Sequence, residues 1–294
     1  MKLQGIFPAL TTPFDYEGHL YKAKVIHNIG KLNEIGLGGY VVCGSTGEAP
    51  LLTTSERVQL MEWVREASAA EKLLIAGVGC ESVQETVLLS DRAAEAGYQV
   101  ALVLTPHYYR TQMHRPDTQA LFFRAVADRS KLPVLLYNLP GVTGYHLPTE
   151  TVAELSHHPN IIGMKDSSGN LESLKEVLKA VKPGFQVLSG SGMNFCEAMH
   201  LGATGAILAI ANPLPYACLT IWEALRMRQQ EAAQDWQERI LSAARLIAQK
   251  HGIPGLKHAM DLNGYYGGPP RLPLIPPSKE AQREIEAAFD GLKS

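Results

Sequence analysis

The sequence predicts an α/β fold, a (β/α)8 barrel with a C-terminal helical extension. Three observations carry that prediction. Short apolar runs recur along the first 212 residues at intervals of roughly 30. The runs are nearly continuous in Val, Ile, Leu and Ala, as in parallel strands buried on both faces. Segments with helix start and stop signals lie between them. About eight such units in a single chain of 294 residues suit a closed barrel better than an open doubly wound sheet. An open sheet would carry a Gly-rich dinucleotide turn after its first strand, and the nearest candidate, Gly77-Val78-Gly79-Cys80-Glu81-Ser82, lacks the third glycine.

The expected strands are, in order, 5–10, 39–43, 73–78, 100–104, 133–137, 161–165, 185–189 and 205–210. Thr53 and Glu56 form a capping-box pattern that opens one helix. A second runs from Ser82 to Ala96 and is closed by Gly97. Helices over 116–129 and 148–157 begin with a proline in the first turn, where a missing N–H costs little. Further helices are expected over 170–181 and 193–201. The barrel therefore occupies residues 1–212, and residues 213–294 form a helical extension packed on it. Within that extension a long helix is expected to about Lys250. A Gly/Pro-rich loop follows from His251 to Pro270, and a last helix covers 278–289.

Composition narrows the functional classes. The chain is 46% hydrophobic and 19% charged, with a formal net charge of −2. No basic face or run of like charge stands out, so neither nucleic acid nor a membrane is expected as a partner. The N-terminus has no signal-peptide core and the apolar runs are strand-length. The four cysteines, Cys43, Cys80, Cys196 and Cys218, form no Cys-x-x-Cys pair and read as reduced thiols of a cytoplasmic protein.

In this architecture catalytic groups sit at the C-terminal ends of strands. Lys165 closes the sixth apolar run, in Ile161-Ile162-Gly163-Met164-Lys165-Asp166. A lysine there can snorkel into water. If desolvated, it becomes a nucleophile for a carbonyl. Tyr137 ends the preceding strand and offers a phenol for proton relay, or only a buried aromatic. Gly44-Ser45-Thr46-Gly47-Glu48 follows the second strand. Two hydroxyls between glycines suit a small carboxylate, although the same residues make ordinary turns. Ser189-Gly190-Ser191-Gly192 ends the seventh strand, leaving room for either close packing or a ligand. No metal-ligand spacing accompanies these groups, and no cofactor is expected: a Schiff base on lysine activates a carbonyl without one.

Over its whole length the chain resembles the dihydrodipicolinate synthase / N-acetylneuraminate lyase family of class I aldolases. The segments that carry the resemblance are Gly44-Ser45-Thr46-Gly47-Glu48, Thr105-Pro106-His107-Tyr108-Tyr109, Tyr137-Asn138-Leu139-Pro140-Gly141-Val142-Thr143-Gly144 and Ile162-Gly163-Met164-Lys165-Asp166. The resemblance implies a covalent Schiff base between a pyruvate-type keto acid and Lys165, with Tyr137 relaying protons. It implies that Ser45 and Thr46 hold the keto-acid carboxylate, and that Gly190 and Ile207 line the pocket. Tyr108 would reach into a neighbouring subunit of a homotetramer, a dimer of dimers.

In the lysine-precursor synthases of the family, an arginine in the Tyr-Asn-x-Pro segment binds the carboxylate of the aldehyde. Val142 stands there in this chain. Other stretches are similar to 4-hydroxy-2-oxoglutarate aldolases, above all Gly252-Ile253-Pro254-Gly255-Leu256-Lys257 and Gly264-Tyr265-Tyr266-Gly267-Gly268-Pro269. The expected activity is thus retro-aldol cleavage of a 4-hydroxy-2-oxoglutarate-type substrate to pyruvate and an aldehyde, glyoxylate first. Ser167 and Arg110 are candidates for its distal groups. The alternatives are condensation of pyruvate with an aldehyde, as in the synthases, and a non-catalytic keto-acid-binding relative.

Overall fold

A computed structural model describes residues 1–292. Its strands are β1 (Gly5–Pro8), β2 (Gly39–Val42), β3 (Leu73–Gly77), β4 (Val100–Leu104), β5 (Val134–Asn138), β6 (Ile161–Asp166), β7 (Gln186–Ser189) and β8 (Gly205–Leu208). All pairings are parallel, in the order β1-β8-β7-β6-β5-β4-β3-β2. A bridge between Ala9 and Val41, with the Leu10 N–H donating to the Val41 carbonyl at 2.9 Å, joins the two ends of that order. The eight strands therefore form the expected barrel.

The helices are α1 (Lys22–Asn33), α2 (Thr54–Ala67), α3 (Val83–Glu95), α4 (Arg110–Met113), α5 (Pro116–Ala127), α6 (Pro140–Thr143), α7 (Thr149–Ser156), α8 (Leu171–Ala180), α9 (Phe195–Leu201), α10 (Pro215–Arg226), α11 (Gln230–Arg245), α12 (Gly252–Leu262) and α13 (Lys279–Phe289). Local chemistry explains where several begin. The Thr53 hydroxyl accepts from the Glu56 N–H at 3.2 Å, and the Glu56 carboxylate accepts from the Thr53 N–H at 2.9 Å, completing the capping box. Ser82 and Asn170 cap α3 and α8 by accepting the N–H groups of Glu85 and Ser173, without the reciprocal bond.

Strand parity sorts the core into two shells. Phe7, Val41, Ile75, Leu102, Leu135, Leu188 and Ile207 fill the barrel interior. Their strand neighbours Ile6, Val42, Ala76, Val103, Leu136, Val187 and Ala206 pack outward against the helices. Full burial of each large aliphatic side chain contributes about 1.5–3 kcal/mol. Tyr137 belongs to the inner shell, so the residue opposite it on β6 faces inward as well.

Some elements depart from expectation. α1 carries no helix-start signature, and its cap residue Tyr21 makes no side-chain capping bond. The apolar stripe Val25, Ile29 and Leu32 buried against the barrel is what holds it. The long helix expected to Lys250 breaks at Arg228, whose φ of 60° is left-handed. α10 packs on β1 as the eighth barrel helix, and α11 turns back from it. Residues 246–251 then form a π-helical turn. The Gly/Pro-rich loop expected from His251 is a helix in its first half. Pro254 falls in the first turn of α12, where no intrahelical partner for its missing N–H is needed. No helix among the described residues is long and apolar enough to cross a membrane.

Candidate active site

β5 and β6 run one residue beyond their apolar stretches because their polar ends pair. Asn138 Nδ2 donates to Asp166 Oδ1 at 2.7 Å, and Asn138 Oδ1 accepts from the Leu147 N–H at 3.1 Å. The Ser168 hydroxyl donates to the other Asp166 oxygen at 2.7 Å. This buried network locks the strand ends just beyond Tyr137 and Lys165, which are register partners. The two side chains meet inside the barrel mouth, with the Lys165 ammonium 4.1 Å from the centroid of the Tyr137 ring. Each is 5% exposed. A cation over an aromatic face is held electrostatically, and here the ring also screens it from water.

A cleft of about 540 Å3 opens over this pair. Ser45, Thr46, Tyr137, Lys165, Ser167, Gly190 and Ile207, all singled out from the sequence, line it together. Ser45 and Thr46 lie in a single 3-10 turn (Ser45–Gly47) directly after β2. Ile207, in register with Phe7, forms part of the floor. Gly190 is required for space. A methyl on it would sit 3.0 Å from Lys165 Cε and would strike the Ser167 hydroxyl. Its N–H donates to the Asp166 carbonyl at 2.6 Å. Lys165 is the only cationic side chain lining the cleft among the described residues.

Two candidates lie outside this cleft. Tyr108 is 76% exposed and packs edge-on against Tyr109. It borders a second cavity of about 380 Å3 that shares Ser45 and Tyr137 with the first. There the Glu81 carboxylate accepts the backbone N–H groups of His107 and Tyr108 at 3.1 and 3.0 Å, which anchors the loop. Arg110 lays its guanidinium against the backbone of Gly144. Val142, 57% exposed, stands at the rim of the Lys165 cleft.

Residues that sequence reasoning missed come from the extension. Ile247, Ala248 and Gln249, on the π-helical turn, and Ile253, at the start of α12, form one wall of the cleft. π-helical segments concentrate at functional sites, but they carry no sequence signature of their own. Gln237 of α11 fixes the opposite loop: its amide donates to the Gly192 carbonyl at 3.0 Å and accepts from the Cys196 N–H at 3.2 Å. The cysteines take no part in this wall. Burial pushes the Cys43 thiol up to about 12 and the Cys196 thiol up to about 11.

Comparison with known proteins places the fold and this arrangement in context. A sequence model of the dihydrodipicolinate synthetase family matches residues 2–291. A 4-hydroxy-tetrahydrodipicolinate synthase of an Exiguobacterium species is 33% identical over 97% of each chain. A probable mitochondrial 4-hydroxy-2-oxoglutarate aldolase of Emericella nidulans is 37% identical, covering 91% of this chain and 87% of its own. Among solved structures, the chloride-inhibited dihydrodipicolinate synthase of Acinetobacter baumannii, complexed with pyruvate, superposes with a TM-score of 0.92 at 28% identity over 98% of both chains.

Proposed function

The chain belongs to the dihydrodipicolinate synthetase family and is a lyase-type enzyme of it; on that premise we propose that Lys165 forms a Schiff base with a 2-keto acid and that the reaction is aldol cleavage. The observation that carries this reading is Lys165 Nζ, buried over the Tyr137 ring at 4.1 Å and, among the described residues, the only cationic group lining the cleft. A desolvated amine beside a phenol suits attack on a ketone followed by loss of water.

In this reading Ser45 and Thr46 receive the keto-acid carboxylate through their hydroxyls and the N–H groups of their turn. As the neutral amine, Lys165 Nζ adds to the ketone carbon; one amine proton passes to the new alkoxide, and Tyr137 then donates the proton that lets the carbinolamine hydroxyl leave as water. The protonated imine then accepts the electron pair of the C3–C4 bond. The C4 hydroxyl proton passes to Tyr137, the aldehyde departs, and the enamine is protonated at C3 and hydrolysed to pyruvate. Gly190 leaves the space the lysine needs, and Ile207 keeps the floor apolar. Tyr108, exposed on its own chain, serves the site of a neighbouring copy in a homotetramer.

The substrate is a 4-hydroxy-2-oxoglutarate-type diacid, cleaved to pyruvate and glyoxylate. Support comes from Val142 at the rim, which cannot make the bidentate contact an arginine makes to the aldehyde carboxylate. The similarity to the Emericella aldolase points the same way. Ser167, beside Lys165, is the group for the distal hydroxyl or carboxylate. The synthase-type condensation is a second reading, favoured by the Exiguobacterium relative. Borohydride with pyruvate is the test: it gives a covalent adduct on Lys165 and inactivates the protein. No added mass on the Lys165 peptide, or full turnover by Lys165→Ala, sinks the reading. Parallel assays of hydroxy-oxoglutarate cleavage and semialdehyde condensation decide between the two substrates.

A further inference from the structure

The block from Gly252 to Arg271 does more than wall the cleft. It sends the Lys257 ammonium and the backbone N–H of Arg271 to the turn that carries Ser45 and Thr46. Lys257, on α12, is fully buried. Its ammonium meets Glu48 Oε1 at 2.6 Å and donates to the carbonyls of Thr12 and Pro269, both at 2.9 Å. It also lies 4.5 Å from the centroid of the Phe14 ring. Glu48 closes the Ser45–Gly47 turn with φ 57° and ψ 31° and is 2% exposed. Its second oxygen accepts the Arg271 N–H at 2.8 Å. The Thr12 hydroxyl donates to the Gly47 carbonyl at 2.5 Å, so Lys257 and Thr12 hold the turn from both sides. The Arg271 guanidinium continues the clamp onto α2, bonding both Glu56 oxygens at 2.6 and 2.8 Å.

This is an expensive arrangement if stability is its sole purpose. A buried ion pair is commonly no better than apolar residues of the same volume. A glutamate in the left-handed region is strained, and such strain persists only where surrounding contacts over-determine it. Both costs fall on the one turn whose Ser45 and Thr46 line the cleft together with Lys165. Burial lowers the pKa of Lys257, while the Glu48 carboxylate opposes that change. The pair thus also neutralises a carboxylate lying next to a turn that must receive an anion.

We propose that Lys257 is a positioning residue: through Glu48 it holds the Ser45–Thr46 turn in the shape that accepts a keto-acid carboxylate, and so sets affinity for 2-keto acids without touching them. The inference rests on the reading of Lys165 and the turn given above.

The test compares two ketones trapped on Lys165 by borohydride, pyruvate with its carboxylate and acetone without one. Glu48→Gln/Lys257→Met removes both buried charges together, which spares the fold the cost of one left unpaired. Its half-saturating pyruvate concentration should rise by about 10-fold or more, while acetone trapping stays within about 3-fold of wild type. A general distortion of the site would depress both ketones alike, and that result overturns the proposal. Unchanged pyruvate saturation overturns it equally. If the double variant does not fold, Glu48→Gln alone carries the comparison. It keeps the side-chain shape and loses the charge, and the same selective weakening toward pyruvate is expected. Failure of wild type to trap pyruvate overturns the Lys165 reading, and this inference with it. Wild-type trapping with no selective effect in the variants overturns this inference alone.

Discussion

Gly190→Ala tests the geometry of the lysine directly. The added methyl would stand 3.0 Å from Lys165 Cε and would overlap the Ser167 hydroxyl. Carbon atoms settle at about 3.5–4.0 Å, so Lys165 Cε must move by about 0.5–1 Å. Displacement of about 1 Å at a reacting group costs on the order of 100-fold in rate. That loss corresponds to about 2.7 kcal/mol of transition-state stabilisation. The stability cost should fall within the about 1–3 kcal/mol typical of overpacking, because the methyl also meets Ser167 Cβ at 3.0 Å, an atom fixed to the backbone. The assay is kcat/KM for pyruvate release, run beside thermal unfolding and the rate of borohydride trapping. Gly30→Ala, where nothing lies within 4 Å of the added methyl, is the control. It should gain about 0.5–1 kcal/mol of helix stability and leave kcat/KM alone. A folded Gly190→Ala protein with wild-type kcat/KM and trapping rate refutes the reasoning.

Tyr137→Phe keeps the ring beside Lys165 and removes the phenol, so kcat should fall by about 100- to 10,000-fold with little change in unfolding temperature; an unchanged kcat removes Tyr137 from proton transfer. The Glu56 carboxyl is held at about 2, below its ordinary 4.5, chiefly by hydrogen bonds from Arg271. Its stabilising contribution is therefore complete above about pH 4.5 and is lost as the pH falls toward 2. Acid unfolding of wild type in that window should be steeper than that of Glu56→Gln, and equal slopes contradict the assignment. Val142→Arg places a guanidinium at the cleft rim, and the ratio of semialdehyde condensation to hydroxy-oxoglutarate cleavage should rise by about 10- to 100-fold, the value of a charge-assisted contact. No change in that ratio removes position 142 from substrate selection.

The strands were legible because burial on both faces leaves a plain apolar signature, and each lies within a residue of its expected C-terminal end or inside its run. Lys165 and Tyr137 were legible for a related reason. Each closes a run, and consecutive runs in a barrel are neighbours, so adjacency in chain order became contact in space. α1 and α12 were not. α1 lacks a cap and is held by burial of Val25, Ile29 and Leu32, a tertiary effect that outweighs weak local propensity. Gly252 and Pro254 read as loop formers, yet one starts α12 and the other occupies its first turn. The wall from Ile247 to Gln249 was invisible as part of the site, because only the return path of α11 across the barrel mouth brings it there. Glu48 looked like the tail of a Ser-Thr turn, and nothing local announces that its partner is Lys257.

The contact between Thr12 and Lys257 spans 245 residues. At about 5–20 residues per second of synthesis, some 10–50 s separate the appearance of its two ends. β1 likewise waits for β8 before it gains a ladder partner. A nascent chain that has delivered all eight strands and α10 can close its ring while the Ser45–Thr46 turn still lacks its anchor. The site thus matures after the barrel has closed. Ribosome-bound chains arrested ahead of Lys257 should be folded barrels that fail to retain a keto acid.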